Sequence, residues 1–242
     1  MLQESLDVGE LAHADSPLSA KGEKQLNFKL STKPKHFQEA APQKVICSPL
    51  KRTVLTALAA YPEHDIVVDP NLREIGCQTG LLKFELKSFI AGSSPDRKAS
   101  VDISRVPEGP WWTSTESTEE VDKRLQKILK EVQLLTGKKN SRAVALVAHY
   151  SVFRTMVGDL RPFPHEWGCA RGWPRNFKPY VGKVIKDLES KRRSRVVPQS
   201  VAVGPQVILL RHAHSRAQEA NTLMKKLMKF DAGSNKCELM TK

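Results

Sequence analysis

The chain has 242 residues, 40% hydrophobic and 27% charged, which are ordinary proportions for a folded globular protein and exclude global disorder. Its formal net charge of +13 predicts attraction to something anionic: a phosphorylated metabolite, nucleic acid or an acidic surface. No run of eighteen apolar residues occurs, so no membrane span is expected, and Cys47, Cys77, Cys169 and Cys237 show neither a C-x-x-C pair nor histidines at zinc spacing.

In chain order, the opening segment MLQESLDVGELAHAD carries acids where a secretory signal needs bases and has no apolar centre, so an intracellular, cytoplasmic protein with reduced cysteines is expected. KVICSPL, from Lys44, reads as a strand buried on both faces. Ser48 as cap and Pro49 at the first helical position then open a helix over LKRTVLTALAAY. IVVDP is a further strand, followed by PNLREIG. Residues 91–117, with Pro95, Pro107, Pro110, Trp111 and Trp112, have no clear period and read as an insertion over one face, the tryptophans serving as loop anchors.

VDKRLQKILKEVQLL puts Val121, Leu125, Ile128, Leu129, Val132 and Leu135 on one helical stripe, feeding a second buried strand in AVALVAHYS. The block KDLESKRRSR, Lys186 to Arg195, has the density of a nuclear address or a phosphate-backbone patch. With Pro198, Gly204 and Pro205 following and no aromatic interleaved, it reads better as a solvated linker, and nucleic acid is not the expected partner. A third strand, VILLRHAHS, lies near the end of the chain, before a helix whose Leu223, Met224, Leu227 and Met228 suit packing on a sheet. These units predict one α/β domain over residues 1–242.

Each of the three strand-turn-helix units carries phosphate or proton chemistry in its turn: Arg52, His149, and Arg211 with His212. Parallel strands open their carboxyl ends onto one crevice, where helix N-termini favour an anion. Two arginines from separate strands can hold a phosphoryl group in bidentate fashion. A neutral imidazole, His212, can attack phosphorus. Glu74, in PNLREIG, is the candidate acid and base, and His149, if protonated, would stabilise the equatorial oxygens. Arginines and histidines together do the work of a metal, so no metal or cofactor is expected.

RHAHSRAQ resembles the R-H-G/A-x-S-x-x-N signature of the histidine phosphatase superfamily, also called phosphoglycerate mutase-like. SPLKRTVLTA is similar to its S-P-L-x-R-x-x-x-T-A segment, LREIG to its L-x-E region, LVAHYSVFR to its second-histidine motif, and DSPLSAKGEKQ to the segment that normally follows the first motif. The resemblance implies a three-layer α/β/α sandwich with a mostly parallel sheet. It implies His212 as nucleophile, Glu74 as proton donor and acceptor, and Arg211, Arg52, His149 and Gln218 around the phosphate. Gln218 stands where asparagine is common, Tyr150 where glycine is usual, and His214 where relatives carry glutamate or glutamine.

The order departs from the family, in which R-H comes first. A circular permutation is therefore expected, with its joint at about 187–206 and the transplanted first strand and helix at 207–230. CQTG, after Glu74, and WGCARG look like features of phosphatase-like members acting on small phosphorylated metabolites. The expected activity is phosphomonoester hydrolysis. Phosphoglycerate mutase-type transfer is the alternative, and a non-catalytic phosphate- or nucleic-acid-binding scaffold is a third reading.

Overall fold

A computed structural model describes residues 15–32, 41–94, 98–137, 142–158, 179–186, 194–198, 207–212, 215 and 218. Within them the elements are α1 (Ala20–Thr32), β1 (Lys44–Cys47), α2 (Lys51–Ala60), β2 (Ile66–Val68), a 3-10 turn (Pro70–Leu72), α3 (Lys83–Ser93), β3 (Val101–Asp102), α4 (Thr118–Thr136), β4 (Val144–Ala148), α5 (Tyr150–Met156), β5 (Pro179–Lys186), β6 (Ser194–Pro198) and β7 (Val207–Arg211).

The three Val/Ile/Leu-rich runs are adjacent central strands. The sheet order is β3-β2-β1-β4-β7-β5-β6, parallel from β3 to β7 and antiparallel across β7-β5 and β5-β6. β7, from the end of the sequence, is thus an interior strand, which accounts for Val207, Ile208, Leu209 and Leu210 all being buried. A strand buried on both faces has no polar side to show, hence the unbroken apolar runs.

Alternate residues of each strand feed two cores. Val45, Cys47, Ala145, Val147, Ile208 and Leu210 pack with Leu26 of α1, Val54, Ala57 and Leu58 of α2, and Leu86 of α3. Ile46, Val144, Leu146, Ala148, Val207 and Leu209 pack with the apolar stripe of α4 and with Val152, Phe153 and Met156 of α5. The result is a three-layer α/β/α sandwich on a mostly parallel sheet, the phosphoglycerate mutase-like arrangement. Each such Leu, Ile or Val removed from water stabilises the fold by about 1.5–3 kcal/mol before conformational entropy is set against it.

Several local expectations change. Helix α4 is longer than its apolar stripe because Ser117 and Glu120 form a reciprocal capping box at its start. Helix α2 begins at Lys51 behind Leu50, which has no side-chain cap; the Leu50 N–H reaches Ser48 Oγ only at a long 3.4 Å. Residues 83–93 form a helix and 101–102 an edge strand that periodicity did not reveal. From the rest of the 91–117 insertion, Ile103, Val106, Trp111 and Trp112 pack over the α1–α3 face: Trp111 is 6% exposed, its indole N–H donates to the Leu81 carbonyl at 2.8 Å, and Trp112 meets it edge to face.

The expected linker at 187–206 contains a real strand, β6. Gln126 of α4 holds it by donating to the Ser194 carbonyl (2.9 Å) and accepting from the Ser194 N–H (2.8 Å), as a neighbouring strand would. Residues 187–193 and 199–206, WGCARG, His214 and the Leu223–Met228 stripe lie outside the described residues. Among the described residues no helix is long and apolar enough to cross a membrane.

Candidate active site

The register of the central strands decides which side chains meet. Ala148 pairs with Arg211 across β4 and β7, so the next residue of each strand, His149 and His212, emerges at the same level of the sheet. The His212 N–H donates to the Ala148 carbonyl at 3.1 Å, and the Ser48 N–H to the Val147 carbonyl at 3.0 Å, extending the ladder by one rung on both sides of β4. The two imidazole centroids are consequently 5.2 Å apart, tilted by 55°, and both rings are buried. α2 follows β1 directly and brings in Arg52 on its first turn, 8% exposed.

His149 is the hub. Arg52 Nη2 approaches its Nδ1 at 3.4 Å, and Ser48 Oγ lies 2.9 Å from its Nε2. A guanidinium can only donate, so Nδ1 is the acceptor and Nε2 carries the proton, donated to the Ser48 hydroxyl. Burial, then Arg52, then His212 hold its pKa well below the ordinary 6.5, so His149 is neutral before any anion enters. The protonated form, on which its role at the equatorial oxygens was conditional, is disfavoured by these surroundings. A bound phosphate would offset the positive charge of Arg52 and Arg211 that helps to keep it neutral.

Glu74 sits beyond the 3-10 turn in a loop, six residues past the end of β2 rather than at a strand end. Its Oε2 is 3.7 Å from His149 Nδ1, and its side chain keeps 26% of its surface open. Burial raises the carboxyl pKa; Arg52, the Ile75 N–H, the Ser151 hydroxyl and Arg211 oppose this. Such a group holds a proton at higher pH than a free carboxyl yet can release it to a nearby base.

Arg211, at the last position of β7, lies with its guanidinium 5.6 Å from the centre of the Tyr150 ring, a cation-π contact. Its pKa is lowered by burial and raised again by Glu74. The aromatic ring that replaces the family's glycine therefore faces a phosphate-binding candidate. Gln218 is differently engaged: its Oε1 accepts from the Ser215 N–H at 3.0 Å and its own N–H donates to the Ser215 carbonyl at 3.1 Å. The structure thus gathers His212, His149, Glu74, Arg52 and Arg211, while Gln218, six residues past His212, is bonded to Ser215.

Two neighbours escaped the sequence reading. Ser48, read as a helix cap, instead meets His149 Nε2 at 2.9 Å and accepts a hydrogen bond from the proton that the Arg52 contact places there. Asp15, part of DSPLSAKGEKQ but given no role, is buried behind Arg52: its Oδ1 accepts from the Lys51 N–H (2.8 Å), its own N–H donates to Thr79 Oγ1 (3.1 Å), and its Oδ2 has no partner among the described residues. Burial pushes its pKa up to about 6 against the lowering pull of Arg52. The signal for both was adjacency to the recognised segments; nothing in their own residue types announced it. Cys77, in the same layer, is pushed up to about 11 by burial and stays a thiol. Among the described residues no group of three or more His, Cys, Asp or Glu is arranged to hold a metal ion.

Taken together, two guanidiniums, two imidazoles and one carboxyl of raised pKa converge at the carboxyl ends of parallel strands, which is equipment for holding and transferring a phosphoryl group. A search of curated proteins finds no match for the chain. The profile of the histidine phosphatase superfamily (branch 1) matches residues 10–176, more than half of the sequence; the matched span contains Arg52, Glu74 and His149 and stops before Arg211 and His212. By that match and this fold, the chain belongs to the histidine phosphatase superfamily.

Proposed function

We propose that the chain hydrolyses small phosphomonoesters through a phosphohistidine on His212. Membership of the superfamily supports phosphatase or phosphoryl-transfer chemistry in general. The observation that carries the finer reading is the pair of imidazoles 5.2 Å apart on neighbouring parallel strands, flanked by Arg52, Arg211 and a Glu74 carboxyl whose pKa is raised.

In the first step a ring nitrogen of His212 forms a bond to phosphorus as the bond to the ester oxygen breaks, and Glu74 gives its proton to the departing oxygen. In the second, water attacks the phosphohistidine while the Glu74 carboxylate accepts a water proton. The N–P bond breaks, and inorganic phosphate and the starting residues result. Arg52 and Arg211 offset the phosphoryl charge throughout. His149, whose pKa burial and the neighbouring cations lower, takes up positive character beside the bound dianion. The family's R-H segment lying last in this sequence, yet feeding an interior strand, supports a circular permutation of the family's order.

The test is a screen of phosphorylated metabolites with wild type and His212→Ala side by side, with the protein probed for an acid-labile, alkali-stable phosphoryl adduct. Phosphate release and adduct in wild type only are expected. Turnover retained in His212→Ala overturns the assignment, and isomerisation of 3-phosphoglycerate without phosphate release converts the reading to a mutase.

A further inference from the structure

Glu74 stands in a loop, yet a proton donor to a leaving oxygen works only within about 2.6–3.2 Å of it. What fixes that loop is an ion cluster between it and α4. Arg124 of α4, 5% exposed, uses one nitrogen, Nη1, to donate to the carbonyls of Asn71 (2.6 Å) and Arg73 (3.1 Å), the latter adjoining Glu74. Its Nε and Nη2 take both carboxylate oxygens of Glu116, at 2.7 and 3.0 Å. Glu116, 3% exposed, also accepts from Arg73 Nη2 at 2.5 Å. Arg73 closes the ring with a 3.2 Å bond from Nη1 to the Pro70 carbonyl.

We propose that Arg124 and Glu116 are positioning residues that hold Glu74 at proton-transfer distance, an inference resting on the reading of Glu74 as general acid. Two guanidiniums and one carboxylate out of water carry a desolvation penalty that their mutual attraction only partly offsets, so the cluster is a poor device for stability alone. It is a good device for geometry. The planar fork of Arg124 satisfies four acceptors in fixed directions, and a lysine ammonium on its flexible stem cannot. On the other side the loop reverses at Gly76, whose φ of +72° suits glycine, and Cys77 donates to the Thr79 carbonyl at 3.1 Å. The Glu74 segment is therefore clamped at Asn71 and Arg73 and turned immediately after its acidic residue.

The readout is the dependence of rate on the leaving group, because a nitrophenolate departs without a proton whereas an alkoxide needs one. Arg124→Lys and Glu116→Gln are measured on 4-nitrophenyl phosphate and on glycerol phosphate, with Glu74→Gln beside them. General acid catalysis contributes about 10²–10⁴-fold, so both brace variants should lose roughly 10–100-fold in kcat/KM on the alkyl ester and stay within about threefold of wild type in kcat/KM on the aryl ester, because kcat/KM reports the phosphorylation step, before Glu74 acts as base. Glu74→Gln should show the same selectivity in kcat/KM, larger, while its kcat falls on both esters because the base that activates water is lost as well. Equal loss on both esters, no loss on either, or failure of both variants to fold would assign the cluster to stability and overturn the proposal. Absence of leaving-group selectivity in Glu74→Gln would instead overturn the reading of Glu74 itself.

Discussion

Asp15 offers a sharp test of how burial and charge balance beside Arg52. Its carboxyl is 9% exposed and carries a pKa of about 6 in the fold against an ordinary 3.8. Below the lower value both folded and unfolded states are protonated; as pH rises through 3.8 the unfolded chain ionises first, and stability falls until the folded carboxyl ionises near 6, staying level thereafter. That displacement is worth ~3 kcal/mol. Asp15→Asn keeps an acceptor for the Lys51 N–H and removes the ionisation. Relative to wild type, the variant should therefore gain up to ~3 kcal/mol between about pH 4 and about pH 7. Urea unfolding of both proteins across that range gives the difference curve directly. Parallel curves would refute the burial argument, and a variant that loses ground as pH rises would mean that Arg52 outweighs burial and the ionised form is the native one.

Leu209→Ala, at a side chain 1% exposed in the strand from the end of the sequence, should lower unfolding free energy by about 2–5 kcal/mol; a negligible change would remove β7 from the core. In Gly80→Ala the new Cβ would lie 2.3 Å from Trp111 Cζ2. The buried indole must move, so a loss of about 1–3 kcal/mol and altered tryptophan emission are expected, and unchanged melting with unchanged emission would contradict the packing. Because burial raises the Glu74 pKa, kcat/KM on an alkyl phosphate should hold past the ordinary carboxylate range and fall as Glu74 deprotonates; Glu74→Gln should lack that limb, and its persistence would assign the titration elsewhere.

Some of this architecture is local and can be read from the chain. A strand covered on both faces must be apolar throughout, so β1, β4 and β7 stand out as Val/Ile/Leu runs. The turns after them must carry what the crevice needs, so Arg52, His149, Arg211 and His212 were nameable together. The stripe on α4 follows from 3.6 residues per turn. Edge strands offer no such signal: β3 has two residues in proline-rich surroundings, and β6 hides inside a basic block because its neighbours supply the pairing.

Tertiary structure alone decided the rest. Strand order and register are set by backbone hydrogen bonds that every residue can make, so nothing in VILLR states that it lies between β4 and β5. Ser48 has the composition of a helix cap, and only the arrival of His149 from a hundred residues away redirects its hydroxyl. Arg124 sits on an amphipathic helix where a charge reads as solvated surface; its burial exists only because the loop preceding Glu74 folds across it. The protonation states of Asp15, Glu74 and His149 belong to the same class, because desolvation is a property of what surrounds a group and not of the group itself.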